Sequence, residues 1–98
     1  EVVKHSGIGD NLIPNVPLWN KYVRQFRNAL THYDPAAPEE ITDYEAAYWL
    51  AESLAWILLA SLMIEAGFSR KETLDLIKEN QRYIFVKLRV KDTLARLS

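Results

Sequence analysis

Residues 42–69 read TDYEAAYWLAESLAWILLASLMIEAGFS, and this stretch decides the fold. Thr42 and Glu45 stand three apart, the spacing of a capping box, in which hydroxyl and carboxylate each accept from a backbone N–H at a helix start. Gly67 is placed to end that helix in the left-handed conformation, with Phe68 folding back as an apolar lid. From Leu54 to Ile64 only Ser61 is polar. A helix that is apolar on every side must be surrounded. Ala46–Ile64 has the length to span a membrane. However, Glu52 interrupts it, and no Lys or Arg occurs between Asn28 and Ser69 to anchor an end. The expectation is a buried core helix and no membrane partner.

Working outward, Leu18, Trp19, Tyr22, Val23, Phe26, Ala29, Leu30 and Tyr33 recur at helical steps and predict a helix from about Pro17. Proline suits its first turn, where a missing N–H loses nothing. Asp34-Pro35-Ala36-Ala37-Pro38 stops it, since residues before proline are pushed from helical backbone. Downstream, Ser69 and Glu72 repeat the capping box, and Leu74, Ile77, Ile84, Phe85, Leu88, Val90, Leu94 and Leu97 carry a third helix to the C-terminus. Glu79–Gln81 is polar all round and marks a candidate break. Residues 1–15 hold Ser6, Gly7, Gly9, Asp10, Asn11 and Pro14 and read as a loop or linker from a larger protein. The chain is therefore expected to be all-α, a small bundle of three main helices over 16–98, with a fourth if the last one breaks. Three helices are too few walls for so apolar a centre. An upstream segment or a dimer partner is expected to complete it.

The chain has 98 residues, 49% of them hydrophobic, which is one small domain. It begins with Glu1 rather than Met and reads as a piece of a longer protein. Twelve basic residues against thirteen acidic ones exclude a uniformly basic coat, and zero cysteines exclude thiolate metal sites and thiol catalysis. Freedom from cysteine fits a cytoplasmic location. Two histidines without His-x3-His or Glu-x-x-His spacing leave no metal site and no cofactor to expect. Gly7-Ile8-Gly9 lacks the third glycine and the strand of a phosphate loop.

Near-neutrality hides segregation. Between Asn11 and Tyr33 there is no Asp or Glu, while Lys21, Arg24 and Arg27 are present. Asp34 to Glu65 holds seven acids and no base, and Arg70 to Arg96 holds eight bases against four acids. On the first helix the apolar side chains fill an arc of about 140°. Opposite stand Arg24, Arg27, Asn28, Thr31 and His32. Asn28 and His32 are one turn apart, and Arg27 lies about 140° round from His32 on the far flank. A carboxylate-free face of this kind suits a phosphate.

Arg27-Asn28-Ala29-Leu30-Thr31-His32 resembles the Arg-x4-His signature of the HEPN superfamily, including its frequent Asn after the Arg. With Tyr33-Asp34, the long apolar helix and Glu65-Ala66-Gly67-Phe68-Ser69 following in order, the chain is most similar to the ApeA-like HEPN domain over roughly 16–80. The resemblance implies a metal-independent endoribonuclease of bacterial anti-phage or toxin-type defence, with Arg and His of two protomers forming one site. His32 would be the acid/base for attack of the ribose 2′-OH on the adjacent phosphate, a role its pKa near 6.5 suits. Arg27 would hold the phosphate oxygens and Asn28 would orient the imidazole. The expected products are a 2′,3′-cyclic phosphate and a free 5′-OH. Lys21, Arg24 and Thr31 are expected to bind RNA or phosphate. Members silenced by nucleotide transfer carry a tyrosine two after the His; Asp34 stands there in this chain.

The bland readings run alongside. A histidine near a helix end is accounted for by the helix dipole, and surface arginines are usually solvated or paired. Trp19, Tyr48, Trp49, Trp56, Tyr83 and Phe85 have the spacing of core residues rather than base-stacking platforms. His5 reads as inert or as part of an interface. The alternative function is a non-catalytic HEPN-like module for nucleotide or RNA binding or for dimerisation.

Overall fold

A computed structural model describes residues 2–31 and 44–97. Six helices run in order: α1 (Val2–His5), α2 (Gly9–Leu12), α3 (Val16–Thr31), α4 (Tyr44–Glu65), α5 (Arg70–Ile77) and α6 (Gln81–Leu97). No strand occurs among the described residues, and the all-α expectation holds.

The ends of these helices follow the sequence closely. Asn15 Oδ1 accepts from the Leu18 N–H at 3.1 Å and opens α3. At the end of α4 the Phe68 N–H reaches the Met63 carbonyl and the Gly67 N–H the Ile64 carbonyl. Gly67 sits at φ +113°, where a side chain would be strained. Phe68 closes the motif but stays 41% exposed, so its ring is a partial lid only. Ser69 and Glu72 form the full capping box at 3.1 and 3.0 Å, and the Ser69 N–H bond holds the Glu72 carboxyl below its ordinary pKa. The anticipated break is present. Asn80 Oδ1 accepts from the Arg82 and Tyr83 N–H groups and restarts the chain as α6. The Thr42 cap of α4 lies outside the described residues.

Residues 2–15 differ from the expected loop. They form two single-turn helices whose Val3, Ile8, Leu12 and Ile13 are buried in the core. Buried Ser6 bridges them, donating to the Val3 carbonyl at 2.6 Å and accepting from the Ile8 N–H at 3.3 Å. Gly9 serves close approach rather than a turn, since a Cβ there would lie 2.5 Å from Val3 Cγ1. Four-residue helices are too short to show a period, which is why the turn formers alone suggested a loop.

Helix α4 is the axis of the packing, touching α1, α3, α5 and α6. Its Ala46, Trp49, Leu50, Ser53, Ile57 and Ala60 are buried. Antiparallel α6 covers one flank, with Phe85 edge-on to Trp49 at 5.3 Å and Tyr83 edge-on to Trp56 at 5.4 Å. The expectation that α4 is enclosed is met only where these four helices cover it. Tyr44, Leu58, Leu59 and Leu62 are 45–76% exposed on the side away from these helices. Among the described residues α4 is long and apolar enough to cross a membrane by length and composition.

Candidate functional site

The polar face of α3 is presented by the packing of its other face. Trp19 is buried and its indole N–H donates to Ser53 Oγ on α4 at 2.8 Å; Ser53 in turn donates to the Leu50 carbonyl at 2.6 Å. The Tyr22 hydroxyl donates to the Leu97 carbonyl of α6 at 2.5 Å. Leu18, Val23 and Phe26 pack against the same core. These anchors fix the rotation of α3 about its axis, so Lys21, Arg24, Arg27 and Asn28 all stand exposed.

No carboxylate occurs anywhere on this helix. Arg27 Nη2 lies 3.5 Å from Asn28 Oδ1, a long hydrogen bond that draws the guanidinium across to the adjacent amide. Lys21, Arg24 and Asn28 line a shallow concavity of about 320 Å³ together with Pro17, Asn20 and Gln25. The Lys21 ammonium sits 5.4 Å from the Tyr22 ring centre, an exposed cation–π contact. The structure thus gathers Lys21, Arg24 and Asn28 in one hollow and sets Arg27 against Asn28 at its rim. Thr31 is the last helical residue of α3. His32 lies outside the described residues.

Two features were not evident from sequence. Tyr48 and Phe85 are 49% and 40% exposed rather than core, and two arginines lie over Phe85. The spacing Arg82, Phe85, Arg89 (steps of three and four) was the available signal. His5 Nε2 lies 2.9 Å from Glu65 Oε1, which ties α1 to the end of α4 without hydrogen-bond alignment.

The Apea-like HEPN family model matches residues 2–72. The chain belongs to the ApeA-like HEPN family. The match takes in α1, α2, α3 and α4, ends within α5, and contains the whole polar face of α3. No curated protein and no solved structure matches the chain. Membership puts this HEPN domain among nuclease and nucleotide-binding modules in general; such domains commonly bind RNA and dimerise.

Proposed function

We propose that this HEPN domain is a metal-independent endoribonuclease of the toxin or anti-phage type, working in the cytoplasm as a homodimer with Arg27 and His32 of two protomers at one site. The observation that carries the reading is the exposed, carboxylate-free face of α3, where Arg27 and Asn28 lie side by side within the Arg-x4-His spacing. His32 takes the proton from a ribose 2′-OH as that oxygen attacks the adjacent phosphorus, and the P–O5′ bond breaks. The proton returns to the leaving 5′-oxygen, which gives a 2′,3′-cyclic phosphate and a 5′-OH. Arg27 offsets the charge gathering on the non-bridging oxygens, and its planar fork suits two of them at once. Asn28, held against Arg27, is one turn from position 32 and orients the imidazole. Lys21, Arg24 and Thr31 hold flanking phosphates.

The test is cleavage of single-stranded RNA in EDTA. His32→Ala lowers the rate about 10²–10⁴-fold and Arg27→Ala about 10²–10³-fold, with melting temperatures unchanged. Cleavage surviving both substitutions, or full activity in a species that sediments as a monomer, overturns the proposal. A second reading, a binding module without chemistry, rests on the hollow lined by Lys21, Arg24 and Asn28, which Arg27 does not line. Binding without cleavage, weakened by Arg24→Ala, favours it.

A further inference from the structure

Most of the basic charge of the C-terminal region lies on α6, beyond the residues that the family model matches. Between Gln81 and Leu97 stand Arg82, Lys87, Arg89, Lys91 and Arg96, against Asp92 as the sole acid. Arg82, Arg89 and Arg96 recur every seven residues, so they share one stripe with about 10 Å between neighbours and about 21 Å overall. That stripe runs along the edge where α6 meets the first half of α4.

Phe85 stands within the stripe, 40% exposed, its edge against Trp49. The Arg89 guanidinium carbon is 4.9 Å from the Phe85 ring centre and 5.8 Å from that of Trp49; for Arg82 the distances are 5.8 and 5.5 Å. Arg82 is fully engaged. Its Nη2 donates to the Tyr48 hydroxyl at 2.7 Å and to Glu52 at 3.1 Å, and the carboxylate pushes its pKa up. Arg89 is different: among the described residues no carboxylate pairs with it. A ring quadrupole holds an exposed guanidinium only weakly and leaves its charge and N–H donors uncompensated. Tyr48, 49% exposed, extends the aromatic surface on the α4 side.

We propose that this ledge of Tyr48, Arg82, Phe85 and Arg89 binds single-stranded nucleic acid. Unpaired bases stack on aromatic rings and on guanidinium planes alike, and the ledge presents both side by side. Arg89 neutralises a phosphate beside the rings. A duplex keeps its bases inside and cannot use the rings. An acidic peptide answers the charge but leaves the aromatic surface idle. The ledge is separate from the α3 face and stands whether or not that face cuts RNA.

The experiment is fluorescence polarisation of labelled twelve-residue oligo(U) and oligo(dT) on the 98-residue chain in the His32→Ala background. Arg89→Ala and Phe85→Leu each weaken binding about 5- to 100-fold with unchanged melting, as expected for the loss of one stacked base. Arg89→Lys keeps the charge and restores only part of the affinity. The DNA strand binds within about threefold of the RNA, because stacking and phosphate contacts ignore the 2′-hydroxyl. The proposal is overturned if Arg89→Ala and Phe85→Leu bind within twofold of the parent, if the DNA strand fails to bind, or if duplex or polyglutamate competes as well as the single strand. Wild-type chain that binds here yet never cleaves RNA fails the α3 reading alone.

Discussion

Ser53 and Thr73 are both fully buried hydroxyl residues, and they differ in what they meet. Ser53 accepts from Trp19 and donates to Leu50, whereas Thr73 Oγ1 has no partner among the described residues. Removing a satisfied acceptor strands a buried indole N–H, while removing an unsatisfied hydroxyl relieves a cost. Ser53→Ala should therefore cost about 1–3 kcal/mol and Thr73→Val should stabilise by about 1 kcal/mol. Urea denaturation of the two variants checks both signs. Tyr83 gives a pH signature. Burial pushes its hydroxyl, which donates to Asn11 Oδ1 at 2.6 Å, up from 10.0 to about 12. The folded chain then keeps a proton that the unfolded chain releases. This contribution is intact below pH 10 and is lost as pH rises toward 12, about 2 kcal/mol in all. Stability measured against pH in Tyr83→Phe should lack that part of the alkaline fall. At this scale the capping residues Ser69, Glu72 and Gly67 were legible because each acts on backbone within a few positions. The fate of a hydroxyl or phenol was not, since its partner comes from another helix.

Among elements, α4 divides into a covered side and a bare one. Ile57 is fully buried and Leu62 is 67% exposed, although the two are five residues apart in one apolar run. Ile57→Ala should cost about 2–5 kcal/mol, and Leu62→Ala should stay within about 0.5 kcal/mol, read from the same melts. Hydrophobicity alone could not separate them, because it is nearly uniform around α4. The rotation of α4 is set by its neighbours: Trp19 on α3, and Tyr83 and Phe85 on α6. Helix α3 was the easier case. Its polar and apolar faces are distinct in sequence, and Arg24, Arg27 and Asn28 emerge where the period placed them. The α4–α6 ledge was hidden for the converse reason. Aromatics at helical spacing signal burial, and only the packed neighbours show that Tyr48 and Phe85 reach the surface.

As a whole the molecule is drawn out, 48 × 25 × 21 Å, with a radius of gyration of 14.4 Å. A compact domain of this size is nearer about 13 Å. The elongation follows from α4, whose 22 residues make a rod of about 33 Å. Trp19 binds the Ser53 side of that rod, so the polar face of α3 and the bare apolar side of α4 look in opposite directions. Copies that join their α3 faces leave the α4 sides outermost. Shared family sequence ends at residue 72, yet Tyr83, Val86, Val90 and Leu94 of α6 are all buried against what precedes them. Anyone trimming a gene to the matched segment would discard a load-carrying wall. Expressed alone, residues 2–72 should leave Trp49 and Trp56 open to water and collect in the pellet, while the longer product stays in the supernatant.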